Sequence, residues 1–302
     1  MAQSLYRRLI VCFAILSLMV LMPMRAAWAS DQSDSGLFSQ GVQATQAGHY
    51  SEAFAIFTQV IQTNPTAAAY ANRCLIEVEL SQYQAAIADC SKAIEQQPDQ
   101  FEAWINRGIA HYRIGEYQAA IADATVLIQK QSHDLRAYFN RGLAEAALGQ
   151  PQQAISDYNQ ALANANQVEP ASLAEIYIDR GLAHFSITEH TNAIADFDTA
   201  VRLDAQNERA YFNRGCVKGQ QGNYTAAIEN FTQALALNPS HADALFDRGM
   251  AYYQSSHKPQ AIADLQQAAE LFLRQNRAIA HARTVDLIQQ MQQFQVIETN
   301  WG

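Results

Sequence analysis

Charged side chains that could form ion pairs recur along this chain at a fixed spacing. An arginine returns about every 34 residues, and in most cases an aspartate follows it 16 residues later. The arginines are Arg73, Arg107, Arg141, Arg180, Arg214 and Arg248, and the aspartates are Asp89, Asp123, Asp157, Asp196 and Asp264. Arg214 has Asn230 at that spacing instead. A paired, partly buried arginine specifies register more than it stabilises, so we predict a structural ladder of Arg–Asp pairs rather than an anion site.

The sequence contains no known catalytic motif, and its histidines are not grouped as in a catalytic or metal site. The eight histidines are spread along the chain, and His111 and His184 share one place in a repeat but lie two repeats apart. The sequence has no H-E-x-x-H, C-x-x-C, P-loop or G-x-S-x-G motif. We therefore predict no catalytic residue, no metal site and no cofactor.

Two of the cysteines share the spacing of the charged pairs. Cys74 and Cys90 are 16 residues apart and are expected to face each other within one helical hairpin. A disulfide is possible in an oxidising compartment. Two buried thiols acting as small apolar side chains are the interpretation that we favour, because cysteine is common in protein cores. Cys216 has no obvious partner in the sequence.

A tripeptide close to Asn-Arg-Gly marks the elements that must position these side chains. It begins at Asn72, Asn106, Asn140, Asp179, Asn213 and Asp247, at intervals of 34 residues and one of 39. Such a period is typical of stacked units that cannot bury an apolar face alone. Glycine or cysteine at the eighth place of a unit and alanine at the twentieth let two antiparallel helices approach closely. An aromatic residue at the twenty-fourth place commonly fills the space that they leave.

This pattern resembles the tetratricopeptide repeat. The resemblance implies an all-α fold, a right-handed α-solenoid of about seven antiparallel helix hairpins with a C-terminal capping helix. The predicted units are 34–66, 67–100, 101–134, 135–168, 174–207, 208–241 and 242–275. A capping helix is predicted over 276–297, with Ile279, Val285, Ile288, Met291 and Phe294 on one stripe, and a tail over 298–302.

The one long interval places five extra residues, 169–173, between the fourth and fifth units. We favour a longer loop there, because loop insertions have a small free-energy cost. A local change of superhelical pitch is the alternative.

The start of the chain has the pattern of an export signal. Arg7 and Arg8 precede an uncharged stretch from Leu9 to Met22, and Ala27-Trp28-Ala29 has the small-x-small form of a cleavage site. We predict a cleavable signal peptide over 1–29 and a short linker over 30–33. The protein would then be exported to a periplasm, a lumen or the extracellular space. The stretch is short for a spanning helix, which needs about 20 apolar residues, but an uncleaved anchor remains the alternative.

The charge of the chain restricts its partners. The formal net charge is −9, and removal of 1–29, with three arginines and no acid, makes it three units more negative. An acidic surface disfavours nucleic acid and anionic lipid. We expect a neutral or basic protein or peptide segment, and no membrane span after cleavage of the signal.

The resemblance also implies a binding groove lined by the first helices. Its predicted polar residues are those at the sixth place: Asn72, Asn106, Asn140, Asp179, Asn213 and Asp247. Its predicted apolar residues are Ile105, Phe139, Ile178, Phe212, Phe246, Tyr112, Phe185 and Tyr253. Some family members bind peptides through an asparagine ladder at this place, and an amide can both donate to and accept from an extended backbone. The alternative is that the apolar places merely pack adjacent units.

Two hypotheses for function follow. The first is a non-catalytic scaffold that binds a peptide or helix of a partner, for example during assembly of an envelope or lumenal complex. The second is a self-associating structural subunit whose groove is filled by another copy or by its own C-terminal helix. The sequence does not determine the oligomeric state.

Overall fold

The computed structural model describes residues 35–166 and 168–301. The predicted signal peptide and linker lie outside these residues. Within them the chain forms 15 α-helices and no strand. The first eight are α1 (Ser35–Gln46), α2 (Tyr50–Thr63), α3 (Ala67–Glu79), α4 (Tyr83–Gln96), α5 (Phe101–Arg113), α6 (Tyr117–Lys130), α7 (Leu135–Ala147) and α8 (Pro151–Ala163). The others are α9 (Pro170–Ser186), α10 (His190–Leu203), α11 (Glu208–Gln220), α12 (Tyr224–Leu237), α13 (Ala242–Gln254), α14 (Lys258–Arg274) and α15 (Ala278–Trp301).

The helices belong to two compact bodies that divide between Ser172 and Leu173. The first body contains the four hairpins α1–α2, α3–α4, α5–α6 and α7–α8. The second contains the hairpins α9–α10, α11–α12 and α13–α14, followed by α15. The all-α repeat architecture expected from the sequence is confirmed.

Small residues and aromatic rings form the seam inside most hairpins. In α7–α8 the ring of Tyr158 lies so close to Gly142 that a Cβ added there would be 2.8 Å from Tyr158 Cε1. In α9–α10 a Cβ on Gly181 would be 2.8 Å from Phe197 Cε1. The rings are buried at this place because the opposite helix presents no side chain.

The turn of each hairpin ends the first helix with a residue in the left-handed backbone conformation. Gly149 has a φ of 72° there, and the fifteenth place is also glycine in three other hairpins. In α9–α10 the residue is Thr188, with a φ of 65°. The turn closes through a bond from Glu189 N to His184 O at 2.9 Å, so the conformation at Thr188 is required.

Replacing Thr188 with glycine is expected to raise the free energy of unfolding by about 1 kcal/mol. A β-branched residue is strained in the left-handed region, and the relief exceeds the entropy that glycine adds to the unfolded chain. Urea denaturation of the purified chain measures the change. Gly149→Thr is the reverse control and should destabilise by a similar amount. Equal midpoints for Thr188→Gly and the wild type would contradict the prediction.

Three local expectations differ from the structure. The longer loop expected between the fourth and fifth units is right only in part. Six residues separate α8 from α9, against four between most units, but residues 170–173 are helical and make α9 one turn longer than most first helices. Proline fits the first position of a helix, where its missing N–H is not needed. The last helix continues to Trp301, so most of the expected tail is helical. On its stripe, Ile288 and Met291 are buried, but Ile279 is 71% exposed.

Candidate functional site

Each ladder arginine except Arg214 binds the aspartate that follows 16 residues later in its own hairpin. Arg141 donates from Nε to Asp157 Oδ2 at 2.6 Å and from Nη2 to Asp157 Oδ1 at 2.8 Å. The same two bonds join Arg73–Asp89, Arg107–Asp123, Arg180–Asp196 and Arg248–Asp264. The aspartates are buried and the arginines are partly exposed. This two-pronged geometry is specific for a carboxylate and fixes the height at which the two helices meet.

The remaining guanidinium nitrogen links successive hairpins. Nη1 of Arg107 donates to Ser91 Oγ at 3.0 Å, and Nη1 of Arg141 donates to Thr125 Oγ1 at 3.3 Å. Both hydroxyls belong to the second helix of the preceding hairpin. The Arg141 guanidinium also lies over the ring of Tyr138, 5.9 Å from its centroid. The carboxylate bonds therefore close one hairpin, while the hydroxyl bond joins it to its neighbour.

The hairpin α11–α12 departs from this pattern, as its sequence indicates. Arg214 Nε donates to Asn230 Oδ1 at 2.7 Å, and Arg214 Nη1 donates to Asp198 Oδ1 at 2.5 Å. Asp198 occupies the place that a hydroxyl residue, Thr58, Ser91 or Thr125, holds in the first three hairpins. The negative charge that pairs with Arg214 thus comes from the preceding hairpin.

A second set of ion pairs, which the sequence analysis missed, joins the first helix of a unit to the start of the following unit or, for Arg277, to the residue just before α15. The pairs are Glu102–Arg136, Glu175–Arg209 and Asp243–Arg277. Arg136 donates to both carboxylate oxygens of Glu102 at 3.0 Å. The two residues of each pair are 34 positions apart. The signal in the sequence was an acidic residue at the second place of one unit and an arginine 34 residues later. These bonds fix the register between units.

Glu77 on α3 is a buried carboxyl group beside the ladder. It is 4% exposed, and its Oε2 has no hydrogen-bond partner within the described part of the chain. Burial and, next, the charge of Asp89 raise the pKa of Glu77 to about 7, although Arg73 acts in the opposite direction. Glu145 holds the same place on α7, and burial raises its pKa to about 7 as well.

Replacing Glu77 with glutamine is expected to stabilise the protein at pH 8 by about 1–3 kcal/mol and to have little effect at pH 4. The pKa rises from 4.5 to about 7 on folding, so the folded chain binds the additional proton. The stabilising contribution of Glu77 is therefore complete below pH 4.5 and is lost as the pH rises through about 7. Urea denaturation at both pH values measures the effect. Glu95→Gln, at an exposed position on α4, is the control. A gain that is equal at the two pH values would contradict this assignment.

We call the residues at the fifth, sixth and twelfth places of the first helices the first-helix row. Its asparagines do not share one environment. Asn72 and Asn106 are buried, at 1% and 2% exposure, and Asn72 Nδ2 donates to Ala68 O at 2.8 Å. Asn140 and Asn213 are partly exposed. At Asn72 and Asn106 the amide therefore lies between packed helices, whereas the amides of Asn140 and Asn213 keep part of their surface exposed.

The two aspartates of the row are held differently from each other. Asp179 is 7% exposed and accepts a bond from Arg209 Nη2 at 3.0 Å, and burial raises its pKa to about 6. Asp247 accepts a long contact from Cys216 Sγ at 3.8 Å. Burial and then the charge of Asp243 raise the pKa of Asp247 to about 7. Asp179 is thus part of an ion-pair network and not an open binding group.

The apolar residues of the row divide in a similar way. Ile105, Ile178 and Phe185 are buried and pack adjacent helices, as the alternative interpretation proposed. Five aromatic residues keep part of their surface exposed: Tyr112, Phe139, Phe212, Phe246 and Tyr253. Most have an aromatic neighbour, such as Tyr158 beside Phe139 at 5.9 Å between ring centroids.

In the second body, the end of the row is covered by the last helix. Phe246 and Tyr253 pack against the cluster that contains Ile288 and Met291 of α15. These two predicted groove residues therefore contribute to the capping interface. In the first body, Tyr112, Phe139 and Asn140 combine partial exposure with aromatic and amide chemistry on the neighbouring helices α5 and α7.

Histidines and carboxylates do not converge on a reactive centre in the described structure. His111 Nδ1 lies 2.6 Å from Glu116 Oε2, and His184 Nδ1 lies 2.6 Å from Glu189 Oε2, both within their own hairpin turns. Among residues 35–166 and 168–301, no group of three or more potential ligands could hold a metal ion. Over the same residues, no helix is both long and apolar enough to cross a membrane.

The structure joins Cys74 and Cys90 in a disulfide, with their Cα atoms 5.4 Å apart. The favoured expectation of two separate thiols is therefore wrong. The bond links α3 to α4, and both residues are fully buried. Cys216 is a free thiol, and burial raises its pKa well above the usual value.

Comparison with known sequences identifies the repeat. The sequence profile described as "Tetratricopeptide repeat" matches residues 75–134, 106–169, 139–208 and 212–277, which together cover more than half of the chain. Sperm-associated antigen 1 of Rattus norvegicus is 38% identical over 64 residues. That match spans 21% of this chain and 7% of the length of the relative.

Solved structures show the same fold. A tetratricopeptide repeat protein from Parabacteroides merdae has a TM-score of 0.64 at 15% identity, covering 82% of this chain and 97% of that one. YrrB, described as a tetratricopeptide repeat protein with an unusual peptide-binding site, has a TM-score of 0.51 at 19% identity. It covers 65% of this chain and 97% of its own.

Proposed function

The chain belongs to the tetratricopeptide repeat family, and from that premise we propose that it is a non-catalytic scaffold that binds a peptide or helix of a partner protein on the first-helix row. The observation that carries the proposal is the partial exposure of Tyr112, Phe139 and Asn140 on the neighbouring helices α5 and α7 of the first body. In the same body Asn72, Asn106 and Ile105 of the row are buried. The buried members of the row pack adjacent helices, whereas these three side chains keep part of their area exposed.

The chemistry of this surface fits an extended peptide or an amphipathic helix. The Asn140 amide has a donor and an acceptor, which match the N–H and C=O groups of a peptide backbone. Phe139 and Tyr112 offer apolar area beside it, and aromatic residues contribute strongly to binding. A neutral or basic segment suits the negative net charge of the chain. The peptide-binding site named for YrrB supports the choice of a peptide as the first probe.

We also propose that the protein acts outside the cytoplasm, where it supports an assembly in a periplasm, lumen or extracellular space. The pattern of residues 1–29 supports export. The disulfide between Cys74 and Cys90 supports an oxidising compartment, because such bonds persist there and are rare in the cytosol.

Selection of peptides from a displayed random 12-residue library against the purified chain tests the binding function. The expected result is an enriched sequence family whose affinity falls about five- to tenfold with Asn140→Ala, since a net hydrogen bond contributes about 1 kcal/mol. Gln153→Ala, at an exposed position on α8, is the matched control and should leave affinity unchanged. No enrichment, or equal affinity for wild type and Asn140→Ala, would overturn the proposal.

The second candidate is a structural subunit whose row is filled by another copy or by its own C-terminal helix. The packing of α15 against Phe246 and Tyr253 favours this candidate, because a helix of this chain lies there against two members of the row. That contact shows that the row can be covered by a helix of this chain. Light scattering across a concentration series separates the two functions. A monomer that binds the selected peptide supports the scaffold, whereas a dimer that the peptide dissociates supports self-association.

A further inference from the structure

The hairpin α3–α4 is closed by a covalent bond where its neighbours are closed by packing. Cys74 occupies the eighth place and Cys90 the twenty-fourth place of the unit. In α7–α8 the same places hold Gly142 and Tyr158, whose ring fills the seam. The two cysteines therefore replace a glycine and an aromatic ring together.

The position of the bond makes the closure of this hairpin depend on it. Both cysteines have 0% exposure, so the bond lies at the centre of the seam. Arg73 and Asp89 directly precede them and form the ladder pair of the same hairpin at 2.5 Å. Two separate thiols fill much less volume than a tyrosine ring does, and an underfilled seam loses packing contacts. The seam of α5–α6, with Gly108 and Ala124, is also closed without a ring. The stabilisation that reduction removes from α3–α4 is therefore mainly that of the covalent link itself.

We propose that oxidation of Cys74 and Cys90 is a redox-sensitive device that closes α3–α4, so that the N-terminal hairpins fold fully only in the oxidised chain. In a repeat protein each unit contacts only its neighbours, so loss of one hairpin affects the adjacent end of the stack first. Helices α1–α4 therefore open in the reduced chain, while α5–α8 stay folded.

The chemistry needs an oxidant of the disulfide class, either a small molecule or a protein. The thiolate of one cysteine attacks a sulfur of the oxidant and forms a mixed disulfide, and one thiolate of the oxidant leaves. The second cysteine thiolate then attacks the mixed disulfide and displaces the other thiolate. Two electrons pass to the oxidant, and its two thiolates take up the two protons that the cysteines released. In the closed hairpin the buried sulfurs are inaccessible to a reducing thiol, so the bond persists until α3–α4 opens.

The consequence of the device for binding rests on the proposed function. Asn72 belongs to the first-helix row and lies on α3, two residues before Cys74. Asn140 lies on α7, beyond the hairpin that opens. Reduction is therefore expected to shorten the row from its N-terminal end and to leave the surface around Asn140 in place.

Hydrogen exchange measured by mass spectrometry on the purified chain tests the device. The oxidised chain is compared with the chain unfolded and refolded in reductant. The expected result is that amides of α1–α4 exchange at least about tenfold faster in the reduced chain, given the stabilisation that a disulfide usually gives, while those of α5–α8 change less than twofold. The variant Cys74→Gly/Cys90→Tyr copies the seam of Gly142 and Tyr158. It should exchange like the oxidised wild type in both buffers.

Equal exchange in the oxidised and reduced wild type would overturn the device, as would a uniform acceleration across α1–α8. Quantitative alkylation of both cysteines in the non-reduced protein would overturn it too. If the double variant does not fold, the comparison of the two wild-type states decides alone. Because exchange is measured without a peptide, its result is independent of the peptide selection that tests the binding function.

Discussion

Replacing Asp157 with alanine is expected to lower the free energy of unfolding by about 3–5 kcal/mol, because it leaves a half-buried arginine without its carboxylate. Asp157 is 4% exposed and accepts two bonds from Arg141, at 2.6 and 2.8 Å. The guanidinium would keep its bond to Thr125 and its contact with Tyr138, but neither supplies a negative charge. The other nearby carboxyl group is that of Glu145, and its pKa is raised to about 7, so it replaces the charge of Asp157 only in part at neutral pH. Water can reach the site only partly, since the Arg141 side chain is 22% exposed.

Urea denaturation of the wild type and three variants measures this effect. Glu95→Ala removes an exposed acid from α4 and should change the free energy of unfolding by less than about 0.5 kcal/mol. The double variant Arg141→Leu/Asp157→Leu removes both charges and should be less destabilising than Asp157→Ala alone, because no unpaired charge remains. Equal losses for Asp157→Ala and Glu95→Ala would show that the ladder pair has no structural role.

The ladder could be predicted from sequence because both partners recur with the same period. Antiparallel helices of fixed length place the seventh and twenty-third residues of a unit at one height, so a constant spacing of 16 residues becomes a constant contact. The helices themselves were predictable for a related reason. Glycine, alanine and aromatic residues at fixed places mark a seam that only a helix hairpin produces.

The features that the sequence did not predict depend on how deeply a side chain is buried, and the repeat period carries no information on burial. Asn106 and Asn140 occupy the same place in successive units, yet Asn106 is buried and Asn140 is partly exposed. Their exposure is set by the size and position of neighbouring side chains, which a repeat alignment does not contain. The pair Glu102–Arg136 was readable from its 34-residue spacing, but only once the second place was known to face the next unit.

The sequence was also a poor guide to whether Cys74 and Cys90 form a disulfide. Cysteine as a small apolar residue and cysteine in a disulfide have the same spacing in sequence. What distinguishes them is whether the two Cβ atoms point at each other across the seam. That orientation follows from the closeness of α3 and α4, with Cα atoms 5.4 Å apart at this point.

Alanine at position 142 is expected to destabilise the protein by about 2 kcal/mol, whereas alanine at position 108 should stabilise it by up to about 1 kcal/mol. Both residues are glycines at the eighth place of their units, in the same body. A Cβ at Gly142 would lie 2.8 Å from Tyr158 Cε1, and this ring is 1% exposed and packed on all sides. A Cβ at Gly108 would lie 3.7 Å from Asp123 Cβ, which is ordinary contact.

The opposite signs follow from the residue across the seam. In α5–α6 that residue is Ala124, which leaves room for a methyl group, so the usual helix preference for alanine over glycine decides the outcome. In α7–α8 the ring of Tyr158 occupies the same room. Gly142→Ala should therefore become neutral or stabilising in a Tyr158→Ala background, which reproduces the seam of α5–α6. Urea denaturation of the two single variants and the double variant gives the coupling free energy between the two positions. A coupling near zero would mean that the eighth place is glycine for a reason other than the ring opposite it, and the seam would then not explain the repeat.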